Sequence, residues 1–398
     1  MQQIAEQKNC TGCGACRLVC HAGCIKMGYD NEGFMIPHVD EACCTDCGLC
    51  TLRCPQNSRL TYASNNCLMV LGAKNKDDAL LLNSASGGVF AGVAAKILET
   101  PGNAVFGCAF DENIVARHTC VTDIRGIAPL QSSKYVQSDV GDTYLQAGTM
   151  LEEGKTVFYS GCPCQIAGLY AFLGKEYSNL LTADLICLGV PSPLLFKRYI
   201  DRLGRQFGED VIYYNFRSKE KCGGGSKSVV KIKTKTRTKT IMPLVDPYYD
   251  SFLQSRSLRE SCYTCKYANA ARVGDITLGD FWGVEAVCPQ FYDSRGVSVV
   301  LVNTKKGELF FKKAYGDFEI VTSTFEKIAA FQTYLREPSH RPAERDSAYK
   351  GIENEAIDVF NNPCYKISPK TYIKASIKRI LPHFAIRLYK KWKGIGKT

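Results

Sequence analysis

Residues 10–20, CTGCGACRLVC, and residues 44–55, CTDCGLCTLRCP, share one spacing. Cys10, Cys13, Cys16 and Cys20 stand at C-x2-C-x2-C-x3-C, and Cys44, Cys47, Cys50 and Cys54 repeat it, with Pro55 directly after. A 4Fe-4S cube needs four thiolates converging on one small object. Two-residue gaps wrap the chain around it and turn backbone N–H groups toward the sulfides. In the bacterial ferredoxin pattern the fourth cysteine of each run serves the other cube. Cys10, Cys13, Cys16 and Cys54 are therefore expected to hold one cluster, and Cys44, Cys47, Cys50 and Cys20 the second. Gly12, Gly14 and Gly48 suit the tight turns. Zinc ribbons use two C-x2-C knuckles, whereas each run here has three cysteines in two-residue steps plus a fourth. His21 stands where a proline is usual, and Cys24 and Cys43, out of register, read as packing thiols or neighbours of ligands.

The rest of the chain supports a redox reading. It has 398 residues, 45% apolar, enough for two or three domains and a large core. Its 21 cysteines are too sparse for a disulfide-stapled secreted domain and many for an enzyme that uses thiols only in packing. Met1 to Asn9 contain no apolar core of a signal peptide, and no apolar run reaches the 18 or so residues of a spanning helix, so a cytoplasmic location is expected. The net charge of +11 is concentrated at the end: residues 363–398 hold ten Lys or Arg and no acid, leaving about +1 elsewhere and no general signal for nucleic acid.

From Leu68 onward, apolar runs alternate with helical patterns. Strands are expected at 104–110, 114–121, 155–159, 180–188 and 296–303, and helices at 89–99, 165–173 and 194–203. This predicts a mixed α/β (α+β) body behind a dicluster ferredoxin domain: residues 1–66 for the ferredoxin part, 67–150 and 151–345 for two parts of the body, and 363–398 for a basic tail. Cys164 falls where a strand turns into a helix, Cys187 ends a strand, and Cys262 and Cys265 form C-x2-C. Spacing alone leaves these four open between a further cluster and ordinary buried cysteines.

Seven ordered segments carry a resemblance. SASGGVF (84–90), SSKYVQS (132–138), SGCPCQIAGL (160–169), CLGVPSP (187–193), NFRSK (215–219), CYTC (262–265) and DITLGDFWG (275–283) resemble the coenzyme F420 hydrogenase/dehydrogenase beta-subunit family. The pattern is also similar to that of 7-hydroxymethyl chlorophyll a reductase. The resemblance implies a third 4Fe-4S cluster on Cys164, Cys187, Cys262 and Cys265, and an FAD-binding body. It places FAD against Ser86, Gly87, Gly88, Lys134, Tyr135, Gln137 and Asp280. Taken alone, a Gly pair before a helix suits a pyrophosphate or a plain turn, and the Lys134 segment suits flavin contacts or an edge strand. Cys162 stands where the family usually has threonine, so either Cys162 or Cys164 is the ligand. Leu188 replaces a common histidine, and KCGGGSK follows NFRSK where relatives tend to carry Gly-Trp.

The implied activity is an iron–sulfur flavoprotein oxidoreductase passing electrons between a ferredoxin or deazaflavin (F420-type) carrier and a small organic substrate. Family members also occur with bacterial polysaccharide-synthesis enzymes. Asp184, Asp280 and Tyr135 are candidate proton donors. Two other classes stand beside it: an electron-transfer subunit of a larger complex with no substrate site of its own, and a cluster-bearing sensor without flavin. The tail from Tyr372 to Lys393 mixes apolar residues with Lys and Arg. It suits a peripheral membrane contact or a helix packed on the body. Lys231, Lys233, Lys235, Arg237 and Lys239 alternate on one expected strand face, as a docking stripe for an acidic carrier or a solvated edge.

Overall fold

A computed structural model describes residues 4–57, 67–220 and 228–380. Each cysteine run closes into a single-turn helix, Ala15–Leu18 and Leu49–Leu52, entered through glycines with positive φ, Gly14 at 77° and Gly48 at 70°. A side chain at either would be strained. Between them β1 (Ile25–Tyr29) and β2 (Met35–Val39) form an antiparallel hairpin, with Ile25 opposite Val39 and Tyr29 opposite Met35. The Asp30 carboxylate ties the turn by accepting from the N–H groups of Glu32 (3.0 Å) and Phe34 (2.9 Å).

The body is built on one eight-stranded sheet. Its strands are β3 (Met69–Asn75), β4 (Ala104–Phe110), β5 (Ala116–Val121), β6 (Val157–Gly161), β7 (Leu180–Leu185), β11 (Ile276–Asp280), β12 (Ser298–Val302) and β13 (Phe318–Thr322), in the spatial order β13-β3-β12-β11-β7-β6-β4-β5. Strands of 67–150 and 151–345 thus share a sheet. The central four, β4, β6, β7 and β11, run parallel, and antiparallel strands close both edges. Side-chain alternation gives the sheet two apolar faces. Val105, Phe158 and Val300 face the helices Val89–Leu98 and Lys305–Lys313, whereas Phe106, Tyr159 and Ala104 face Thr143–Glu152 and Pro163–Leu173.

A second sheet, β8 (Tyr213–Ser218), β9 (Val229–Lys233) and β10 (Thr238–Ile241), packs with the helices Pro193–Phe207 and Pro247–Leu253 around an aromatic core of Tyr199, Tyr214, Phe216, Tyr248 and Phe252. Asp246, buried there, accepts from the hydroxyls of Tyr199 (2.7 Å) and Tyr214 (3.0 Å).

Several sequence expectations need correction. The second strand of the β4–β5 hairpin starts at Ala116, because Asp111 accepts from the N–H groups of Asn113 and Val115 and holds the chain in a turn with Ile114 at φ 57°. Residues 132–138 form an irregular connection, not an edge strand. The basic stripe is bent into the β9–β10 hairpin, so its charges do not share one strand face. Lys231 pairs with Glu220, Arg237 with Glu209, and Lys239 lies over the Phe207 ring. The tail helix Pro369–Ile380 buries Ala375 and exposes Tyr372 and Ile373; residues 381–398, with the rest of the expected amphipathic segment, lie outside the described residues. Among the described residues no helix is long and apolar enough to cross a membrane.

Candidate functional site

The crossed ferredoxin set comes together. Cys13 and Cys16 are buried, and each lies within electrostatic range of Cys10 and Cys54. Burial first, and these neighbouring thiols next, push the Cys13 thiol up to about 12 and that of Cys16 higher still. Raised this far the thiols are neutral on their own, and iron would have to draw the protons off to make them ligands. At the other end Cys44 and Cys47 are exposed and Cys50 half-buried. Cys24 sits between Cys20 and Cys44, its sulfur 3.3 Å from that of Cys20. All twenty cysteines among the described residues are free of disulfides.

Five cysteines meet in the body. Cys164, at the start of the helix Pro163–Leu173, lies within electrostatic range of Cys265, Cys187, Cys262 and also Cys13 of the ferredoxin part. Cys162 and Cys187 have their sulfurs 3.9 Å apart. Cys162 occupies the N-cap, its N–H donating to the Gln165 side chain (3.0 Å). Cys187 is held below the usual thiol value, first by its hydrogen bond with Cys162 and further by the Gly189 backbone and the buried Arg272, which donates to Leu185 O (2.9 Å) nearby. Cys162, Cys164, Cys262 and Cys265 are pushed up, Cys162 first by its hydrogen bond with Cys187 and the other three by burial. Among the described residues no three His, Cys, Asp or Glu side chains close on a single metal ion. A cube of four irons holds its thiolates at separate corners, so its ligands need not converge on one point. Tyr267, nearly buried, lies within range of Cys13 and Cys54 on one side and Cys164 and Cys265 on the other.

Beyond these cysteines lies a cavity of about 700 Å³. Gly161, Leu185 and Asp280 end the adjacent parallel strands β6, β7 and β11, so Cys162, Cys187 and Asp280 gather at their carboxyl ends, where open α/β sheets bind ligands. Of the residues expected against FAD, Ser86, Gly88, Lys134, Tyr135 and Asp280 line the cavity. Tyr135 stacks on Phe252 at 4.5 Å.

Three expected roles are corrected. Gln137 does not line the cavity: its carbonyl accepts from the Met35 N–H (3.1 Å) and from Arg259 (3.3 Å), and its amide donates to Thr11 O (3.3 Å), which commits it to the joint with the ferredoxin part. Gly87 is buried against the sheet. Its N–H donates to Ser298 Oγ (2.9 Å), and a Cβ would come within 2.2 Å of Ala73 O, so its use is close packing. Asp184 is no proton donor to the cavity. Fully buried, it pairs with Arg272 (3.2 Å) and accepts from the N–H groups of Val273 and Gly274. The Lys134 ammonium, too, is taken up by the carbonyls of Pro129, Gln131 and Ser132, although burial lowers it only to about 8.

The cavity also contains residues that the sequence reading missed. Arg217 pairs with Asp280 and donates to Tyr135 Oη (3.3 Å). His118 is buried between Ser138 Oγ (3.2 Å) and Ser160 O (3.1 Å), and burial holds it down at about 4. Arg217 lies within the quoted NFRSK, whose apolar neighbour Phe216 marks the opposite face of β8 as core. His118 carries no local signal.

The family profile for the carboxyl-terminal region of the coenzyme F420 hydrogenase/dehydrogenase beta subunit matches residues 154–327, and that of the 4Fe-4S dicluster domain matches residues 9–58. No curated protein matches the chain. Among solved structures, a xenon-derivatised F420-reducing NiFe hydrogenase complex from Methanosarcina barkeri contains a chain that is 17% identical, with a TM-score of 0.45 over 75% of this chain and 91% of that one. A 4Fe-4S dicluster domain thus precedes, in one polypeptide, a body region similar to the carboxyl-terminal part of the coenzyme F420 hydrogenase/dehydrogenase beta subunit.

Proposed function

We propose that the chain is an iron–sulfur flavoprotein oxidoreductase that passes electrons between a ferredoxin- or F420-type carrier and a small organic substrate. One observation carries this reading: the five body cysteines lie between Cys13 of the ferredoxin part and the cavity. In it, Cys10, Cys13, Cys16 and Cys54 hold one cluster, Cys44, Cys47, Cys50 and Cys20 the second, and Cys164, Cys187, Cys262 and Cys265 a third. The exposed Cys44 and Cys47 mark the end that meets a carrier. FAD, bound in the cavity, would supply the exchange between one-electron and two-electron chemistry.

The chain's own residues shape that chamber. Tyr135, held by Arg217, Phe252 and a hydrogen bond from Tyr248 Oη to its carbonyl (2.7 Å), offers a fixed ring. Asp280, paired with Arg217, orients that guanidinium, while His118 is neutral at pH 7 and its Nε2, facing a carbonyl, carries the proton. Polysaccharide biosynthesis is the setting that the family resemblance suggests, with the basic end of the chain at the membrane surface.

A second reading, a relay subunit whose cavity a partner closes, draws on Trp282, Phe331 and Leu253, exposed apolar side chains that line the same cavity. Iron and flavin content of protein purified without oxygen tests the main reading. About 12 irons and one FAD per chain are expected; about 8 irons and no flavin after full reconstitution would sink it. Turnover by the isolated, fully loaded chain with a soluble donor separates it from the relay.

A further inference from the structure

Arg217 sits at the bulge of β8, with its side chain 5% exposed, and lines the cavity. Nη1 is spent on Asp280 and Tyr135. Nη2 is buried and has no partner. A guanidinium presents five N–H donors in a fixed fork, and a buried donor left without an acceptor costs about 1–3 kcal/mol. The charges around the cavity point the same way. Its lining holds two cationic side chains, Arg217 and Lys134, and one carboxylate, Asp280, while His118 is neutral. Lys134 is saturated by three carbonyls. Lys219, close by, is turned to the carbonyls of Leu81 and Ser86. The excess positive charge is therefore concentrated on one group, Arg217, whose buried Nη2 lacks an acceptor.

We infer that Nη2 of Arg217 receives an oxyanion, a phosphoryl or carboxylate group of the molecule that fills the cavity. The inference rests on the reading of the cavity as the chamber for a redox ligand. Two sources share this chemistry, the pyrophosphate of a dinucleotide cofactor and the acid group of a substrate. Either suits the free Nη2, because both offer a charged oxygen to a guanidinium N–H.

The test is titration of the full chain, purified without oxygen and stripped of any flavin, with inorganic pyrophosphate, FAD and riboflavin. Arg217→Gln is expected to weaken pyrophosphate binding about tenfold or more, the loss of one charge-assisted hydrogen bond. If FAD weakens by a similar factor while riboflavin, which has no phosphate, is unchanged, the oxyanion is the cofactor's. If FAD is unchanged, and pyrophosphate still binds the FAD-loaded wild type but not the loaded variant, the oxyanion is the substrate's. Pyrophosphate that binds neither protein, or both equally, overturns the inference. Because Arg217→Gln strands the Asp280 carboxylate, the double variant Arg217→Gln/Asp280→Asn repeats the measurement, with iron content and melting temperature as checks of folding. A wild type that binds pyrophosphate through Arg217 yet takes up no flavin would sink the flavoprotein reading and leave this one standing.

Discussion

Gly168 of the helix Pro163–Leu173 presses its bare Cα against Cys13: a Cβ there would lie 3.0 Å from Cβ of Cys13 and 3.2 Å from its sulfur. The ferredoxin part and the body meet here without an intervening side chain, and Cys164 leads into the same helix. Replacing Gly168 by Ala adds about 0.5–1 kcal/mol of helix propensity and asks the neighbours to give by a few tenths of an ångström, so the two effects nearly cancel. Gly168→Val cannot be absorbed in this way. It is expected to cost about 1–3 kcal/mol by overpacking and to broaden the electron-paramagnetic signal of the cluster near Cys13. Chemical denaturation and spectra of the reduced protein check both; a valine variant indistinguishable from wild type would refute the close seat.

Serine substitutions separate Cys162 from Cys164 as the ligand of a third cluster. Cys162 caps the helix, lines the cavity and lies within range of Cys187, Cys164 and Cys262, whereas Cys164 lies within range of Cys265, Cys187, Cys262 and also Cys13. Cys164→Ser is expected to lower the iron content by about four atoms per chain, and Cys162→Ser to keep it, since a serine at an N-cap accepts from the first turn as well as or better than a thiol. The reverse pattern would give the ligand role to Cys162.

Legibility in the sequence tracked the range of the interaction. The ferredoxin runs declare themselves because their ligands lie within a few residues of one another, and most strands because alternation is local: Val157, Phe158 and Tyr159 point to opposite faces as their pattern says. Gln137 and Gly87 were misplaced because each is engaged by a partner far along the chain, Arg259 and Ser298. The basic stripe failed at its turn, where Thr234 N–H reaches Arg237 O (2.9 Å) within what read as one strand. Arg217 stood in a quoted motif, but its open Nη2 exists only once β8 lies across the carboxyl ends of the main sheet.

Buried His118 predicts a pH dependence of definite sign. Its ordinary value near 6.5 is lowered to about 4, mainly by burial, so the folded protein binds this proton less readily than the unfolded chain. The stability tied to the neutral ring is complete above pH 6.5 and is lost as pH falls through 6.5 toward 4, by at most about 3 kcal/mol. His118→Gln removes this contribution, so the stability gap between wild type and variant should hold roughly constant from pH 7.5 to about 6.5 and then shrink toward pH 4.5. Asp246, raised to about 6, runs in the opposite direction but is common to both proteins and cancels in the difference. Urea midpoints at four or five pH values measure the gap; a constant gap would refute the assignment.

Arg345 holds the two parts together from the far side of the joint. It is 1% exposed, its Nη1 and Nη2 donate to the two oxygens of Glu32 in the β1–β2 turn at 2.8 and 2.6 Å, and its Nε donates to Leu258 O at 2.7 Å. The ring of Tyr349 packs on the guanidinium at 4.3 Å. Arg345→Lys keeps the charge but loses the fork and the flat face, so at least one of the three acceptors goes unserved and about 1.5–3 kcal/mol is expected to be lost. Glu32→Gln keeps one acceptor oxygen at a half-exposed position and should cost less. The double variant then separates the pair from its surroundings: if the two losses add, Arg345 acts through Leu258 and Tyr349; if the double variant is no worse than Arg345→Lys alone, the Glu32 bond dominates. Because Leu258 lies four residues before Cys262 and Glu32 lies between the two ferredoxin runs, a loosened Arg345 should also speed limited proteolysis of the joint while leaving the iron content intact.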